Sequence, residues 1–224
     1  MTAMVDKGRA GRCGLDALVL GVGNLLWADE GFGVRCAEAF AERFAVPEGT
    51  EVMDGGTQGL ALVNILSDSR RILIFDACDM GRQPADLILA RGADVPRFVA
   101  GGKVSLHQTS MMEILALAEF MGGEPPVRMT LIGCQPVELE DYGGGLTPPV
   151  AARVDEAVAL AAMELERWGV AITERSAAGP CGDGEPIMPA AVARMPYETD
   201  RPSAEVACRI GDDRVLARLA DRAG

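Results

Sequence analysis

Leu18-Val19-Leu20, closed by Gly21-Val22-Gly23-Asn24, is the stretch on which the fold is read. A short apolar run that breaks into glycines has the form of a buried strand entering a tight turn. A helix is predicted from about Gly31, with Val34, Ala37, Ala41 and Phe44 on one face at helical spacing. The same rhythm repeats downstream. Glu51-Val52-Met53 reads as a second strand closed by Asp54-Gly55-Gly56-Thr57, and Leu60 to Leu66 is apolar enough for a helix. Ile72-Leu73-Ile74-Phe75 is the strongest strand signal and ends at Asp76, with Leu87-Ile88-Leu89 a further strand.

The second half continues the alternation. A helix is predicted from Gln108, with Met111, Leu115 and Ala118 facing the core and Gly122-Gly123 as its stop, and Val127 to Ile132 reads as the last central strand. Thr147-Pro148 has the form of an N-cap followed by proline in the first turn. Val150, Val154, Ala157, Ala161, Leu165 and Trp168 then mark a long apolar stripe ended by Gly169. Strands alternating with helices predict an α/β fold, a three-layer α/β/α sandwich around a twisted, mostly parallel sheet. Residues 1–15 read as a flexible leader, 16–172 as the domain, and 173–224, richer in Gly, Pro and charge, as a C-terminal extension expected to be mobile or partly helical.

Composition narrows the classes. Of 224 residues 49% are hydrophobic and only 4% aromatic, so the core is built mainly of aliphatic side chains, which suits a helix-covered parallel sheet. The formal net charge of −12 argues against nucleic acid or an anionic membrane as partner. The six cysteines, at 13, 36, 78, 134, 181 and 208, form no C-x-x-C pair. They are expected as reduced thiols rather than a zinc cluster or disulfide framework. With no apolar leader run and no spanning stretch, a cytoplasmic protein without membrane insertion is expected.

Ligands of open α/β sheets sit beyond the carboxyl ends of the strands. That rule selects Glu30 after the first strand, Asp76 at the end of the most hydrophobic strand, and His107, the single histidine, before a helix. Each alone has an ordinary explanation: an acid near a helix start, an Asp closing a strand, a hydrogen-bonded structural histidine. Together they form a mixed oxygen and nitrogen set suited to first-row divalent metals, nickel and zinc included. Two carboxylates side by side repel and tend to share a proton, a conflict that a metal relieves.

Other chemistries fare worse. One histidine rules out an H-E-x-x-H zinc protease, and no G-x-S-x-G elbow occurs. Gly21-Val22-Gly23 opens like a dinucleotide fingerprint, but Leu26 stands at its third glycine position, and Asp29-Glu30 puts negative charge where a pyrophosphate would lie. Cys78 with His107 as a nucleophile pair has no supporting signature, and a buried thiol is the simpler reading.

Five ordered segments carry a resemblance. Gly21-Val22-Gly23-Asn24-Leu25-Leu26-Trp27-Ala28-Asp29-Glu30-Gly31-Phe32-Gly33-Val34-Arg35 and Asp54-Gly55-Gly56-Thr57-Gln58-Gly59 resemble the first two motifs of the nickel-iron hydrogenase maturation endopeptidases. Phe75-Asp76-Ala77, Ser105-Leu106-His107-Gln108-Thr109 and Ile132-Gly133-Cys134-Gln135-Pro136 match three more in the same order, so the resemblance spans roughly 16–170. Trp27 and Gln135-Pro136-Val137-Glu138-Leu139 look most like the branch serving membrane-bound uptake hydrogenases.

The resemblance implies a twisted sheet between helices and an endopeptidase that removes the C-terminal extension of the hydrogenase large-subunit precursor after nickel insertion. It also implies that Glu30, Asp76 and His107 contact the metal, and that nickel is carried by the precursor, with another divalent metal able to occupy the site in vitro. Water would be activated by the metal or by a carboxylate base, Asp76 or Asp54, and a monomer is expected. The family has been classed with aspartic-type proteases, yet nothing here resembles the paired aspartate motif of pepsin. Two alternatives stay open: a non-catalytic nickel chaperone or precursor-holding protein, and a small-molecule hydrolase on the same fold.

Overall fold

In a computed structural model, residues 14–95, 111–121, 125–175 and 187 are described. His107, the Gly122-Gly123 stop, most of the leader and most of the extension lie outside the described residues. The elements run β1 (Ala17–Val22), α1 (Phe32–Arg43), β2 (Phe44–Ala45), β3 (Thr50–Gly56), α2 (Val63–Asp68), β4 (Arg71–Ala77) and β5 (Leu87–Arg91). Then follow α3 (Met111–Phe120), β6 (Arg128–Cys134), α4 (Pro148–Ala151), α5 (Val154–Arg167) and β7 (Thr173–Glu174).

Five strands form the main sheet in the order β3-β1-β4-β6-β5. β3, β1, β4 and β6 run parallel, and β5 returns antiparallel on β6. The chain between β4 and β5 is too short for a helical crossover, which is why β5 departs from the parallel pattern. The α/β class and the mostly parallel sheet expected from the sequence are what the structure has.

The central strands read as unbroken apolar runs because both faces are covered. Ala17, Val19, Leu73, Phe75, Ile132 and Cys134 lie in one core, which the stripe of α5 and the buried face of α1 complete. Leu18, Leu20, Ile72, Ile74 and Leu131 lie in the other, with Leu62, Val63 and Leu66 around α2 and Ile114 of α3. Each fully buried Leu, Ile or Phe contributes roughly 1.5–3 kcal/mol, so alternation along β1 and β4 fixes the register of the whole sandwich.

Four local expectations change. Phe44 is not on the first helix: α1 ends at Arg43, and Phe44 starts the short strand β2 paired with β7, where its ring packs against Phe40. Thr173 and Glu174, placed by composition at the start of the extension, are the residues of β7. The stripe from Val150 to Trp168 is buried as expected, but it spans two helices, α4 and α5, separated at Ala152 and Arg153. Thr147 also makes no side-chain cap. Gly169 does end α5, at φ +78°, a left-handed conformation that suits glycine.

The strand order sets the place of the site. From β1 the chain moves to β3 on one side and then to β4 on the other, so the order reverses around β1. The crevice at such a reversal, beyond the carboxyl ends of β1 and β4, is where this fold class places ligands. No helix among the described residues is long and apolar enough to cross a membrane.

Candidate active site at the carboxyl edge

Glycines bring the turn after β1 onto the strand ends. Gly23, at φ +139°, packs so close to the carbonyl of Glu30 that a Cβ there would overlap it. A Cβ on Gly33, at the start of α1, would overlap the carbonyl oxygens of Phe75 and Val22. The first turn of α1 therefore rests directly on the ends of β4 and β1. Between the two glycines, the Asn24 side chain accepts from the Leu26 N–H at 3.0 Å, and a 3-10 turn over Ala28–Gly31 carries Glu30. Ala28 at φ +42° is a non-glycine residue in the left-handed region, strain of the kind held at functional sites.

Glu30 and Asp76 are brought together. Burial pushes Asp76 up to about 7, and the neighbouring Glu30 carboxylate pushes the same way against the Ala77 N–H, which favours the charged form. Glu30 is itself raised by burial. Two partly buried acids thus face one crevice with their charges in conflict. A group titrating near 7 can act as a base at neutral pH, and two such carboxylates offer oxygen ligands to a divalent cation. Among the described residues no group of three or more His, Cys, Asp or Glu is gathered for a metal ion, and His107 lies outside them.

Asp54 stands apart from this pair. It shares a row of the sheet with Gly21 and Phe75, two strands from β4, and that row faces α1. Its Oδ1 accepts from the Gly56 N–H at 2.7 Å. Burial raises its pKa, the Gly56 bond and Arg35 oppose the rise, and Glu38 adds to it. Arg35 and Glu38 form a buried ion pair on α1 at 2.8 Å. Asp76 begins the next row, in register with Gly133.

The sequence reading gives Asp29 no role beyond opposing a pyrophosphate. In the structure it is fully buried and accepts four hydrogen bonds. Its donors lie in the loop after β6, more than a hundred residues further along the chain, so no local pattern marks it. Cys36, Cys78 and Cys134 are buried free thiols, and burial raises the pKa of each. A raised pKa disfavours the nucleophilic thiolate, which weighs against Cys78 as an attacking group.

A family model described as hydrogenase maturation protease matches residues 34–164. The hydrogenase expression/formation protein HupD of Rhodobacter capsulatus is 50% identical over 203 residues, 91% of this chain and 94% of that protein. The hydrogenase 2 maturation protease of Escherichia coli (strain K12) is 36% identical over 161 residues, 71% of this chain and 96% of that protein. Among solved structures, the hydrogenase maturating endopeptidase HybD from E. coli superposes with a TM-score of 0.66 at 35% identity, covering 72% of this chain and 98% of that one.

Proposed function

This chain belongs to the hydrogenase maturation protease family, and from that premise we propose that it removes the C-terminal extension of the nickel-iron hydrogenase large-subunit precursor once nickel has been inserted. The observation that carries the reading is the pairing of Glu30 with Asp76 at the carboxyl edge: burial opposes the ionisation of both, and the charge of Glu30 further opposes that of Asp76.

Nickel belongs to the substrate in this scheme, held by the precursor. Glu30, Asp76 and His107 complete its coordination, and the scissile peptide is thereby set beside the crevice. A precursor without nickel lacks the contact that orders its backbone, so metal recognition works as a checkpoint through positioning. The arriving cation relieves the repulsion between Glu30 and Asp76 and displaces the proton that Asp76 holds near neutral pH.

Of the two aspartates considered as base, Asp76 fits better. A carboxylate has two oxygens, so one can face the metal while the other takes a proton from the attacking water. Asp54 faces α1 two strands away, and its electrostatic neighbours are Arg35 and Glu38. The protein acts in the cytoplasm, as a monomer, on a protein partner.

The test is direct. Purified large-subunit precursor is incubated with a catalytic amount of the protein and weighed by mass spectrometry. Multiple turnover with release of a C-terminal peptide supports the peptidase; stoichiometric metal transfer with the precursor intact supports the nickel-chaperone alternative instead.

A further inference from the structure

We infer that Asp29 is a positioning residue for the reaction: its carboxylate locks the turn carrying Glu30 to the loop after β6, and so sets where Glu30 stands in the crevice. The inference rests on the proposed role of Glu30.

Oδ2 of Asp29 accepts from the backbone N–H groups of Val137 at 2.9 Å and Glu138 at 3.0 Å, and from the Thr147 hydroxyl at 3.0 Å. Oδ1 accepts from the Thr147 N–H at 2.7 Å. Every one of these partners is a donor, so the site demands an acceptor at both oxygens. An asparagine keeps the size and shape but turns an NH2 toward one set of donors whichever way it is flipped.

The main chain repeats the link. The Ala28 N–H donates to Gly144 at 3.1 Å, and the Asp29 N–H donates to Glu138 at 3.1 Å. Gly143 donates to the Leu26 carbonyl at 2.7 Å, and the Trp27 ring meets Tyr142 edge-on with centroids 5.3 Å apart. Two loops remote in sequence thus form one wall at the carboxyl edge of the sheet, with Asp29 as its buried centre.

The neighbouring residue is what gives this wall a functional meaning. Glu30 follows Asp29 directly, and its N–H is held by the Trp27 carbonyl at 2.9 Å. The turn contains the strained Ala28. A strained turn keeps its shape only while its surroundings over-determine it, and Asp29 supplies the side-chain constraint that ties it to the loop after β6. Releasing it lets the turn relax and moves the Glu30 carboxylate from Asp76. The Thr147 hydroxyl, expected from sequence to cap a helix, is spent on this clamp instead.

The experiment compares Asp29→Asn, Thr147→Val and Thr147→Ser with the unaltered chain, using nickel-loaded precursor and correcting rates to the folded fraction measured by circular dichroism. Misplacement of a reacting group on the scale of an ångström lowers rates roughly 100-fold. Asp29→Asn is therefore expected to lose about that much in kcat while KM stays within about threefold. Thr147→Val, which removes one donor and keeps the backbone, is expected to lose about fivefold, the scale of one hydrogen bond, with Thr147→Ser restoring the rate. A merely structural Asp29 would lower melting temperature and yield and leave kcat per folded molecule unchanged; that result overturns the inference, as does wild-type kcat in Thr147→Val. Glu30→Gln, run alongside, separates the two levels. If Glu30→Gln is inactive and Asp29→Asn fully active, only the positioning role fails. If Glu30→Gln itself processes normally, the reading of Glu30 fails with it.

Discussion

The two ends of the sheet treat buried carboxylates in opposite ways. At the end away from the crevice, Glu164 of α5 is almost fully buried, yet Arg91 grips both its oxygens, Arg167 reaches it at 3.0 Å, and the Thr130 hydroxyl donates at 3.4 Å. The hydrogen bond from Arg91 and the charges of Arg91 and Arg167 hold Glu164 below the usual carboxylate range despite burial. At the crevice end, burial raises Asp76 to about 7, and the charge of another acid, Glu30, pushes the same way. One end supplies the cations that ionised carboxylates need. At the other, no cation among the described residues is seen to favour the charged form of Asp76, and on the proposed function a cation brought by the substrate would do so.

That contrast can be broken at several points. Replacing Glu30, Asp76 or His107 by Ala is expected to lower processing of nickel-loaded precursor by at least about 100-fold, the scale of losing a group used in the reacting geometry. The circular dichroism spectrum should stay unchanged; normal processing by any one of the three removes it from the site. Gly33→Ala attacks the framework beneath the crevice instead. Forcing a methyl against the Phe75 and Val22 carbonyls should cost about 3 kcal/mol in denaturant unfolding, at the upper end of overpacking effects.

Smaller effects separate the two ends by pH. Glu164→Gln should destabilise the fold by about 2 kcal/mol at pH 7, since it leaves two arginines without their anion. Because the folded pKa of Glu164 lies below its ordinary value of 4.5, its stabilisation is present above that value and is lost as pH falls through the folded one. The penalty of Glu164→Gln should therefore shrink in acid. Asp76→Asn should show the reverse. With a folded pKa of about 7 against an ordinary 3.8, the folded state holds an extra proton between those values, so wild-type stability declines as pH rises from one to the other. Asp76→Asn should be more stable than wild type by about 1–2 kcal/mol at pH 8, after allowance for solvent screening, and lose that advantage below about pH 4. Melting curves across pH check both signs.

How much of this was legible in the sequence depends on how local the cause is. β1 and β4 could be read because a strand covered on both faces is apolar at every position, and Glu30, in the turn after β1, and Asp76, near the carboxyl end of β4, follow from the rule that ligands collect at strand ends. The antiparallel course of β5 left no mark in Leu87-Ile88-Leu89, since direction is set by the length of the connection and not by the strand. The break at Ala152 and Arg153 was hidden because the stripe keeps its period across it. Asp29 was out of reach for a different reason: its partners Val137, Glu138 and Thr147 become neighbours only when β1 and β6 join one sheet. The separation of Asp54 from Asp76 likewise needs the register, which puts Asp54 in the row of Phe75 and Asp76 in the next.

Nickel dependence of cleavage bears most directly on the reading of the crevice. Nickel-loaded and nickel-free precursor, verified by metal analysis, are incubated separately with the protein and weighed by mass spectrometry. Loss of a C-terminal peptide from the loaded form alone is the predicted result; equal cleavage of both forms, or of neither, contradicts a site built to recognise the metal before cutting the chain.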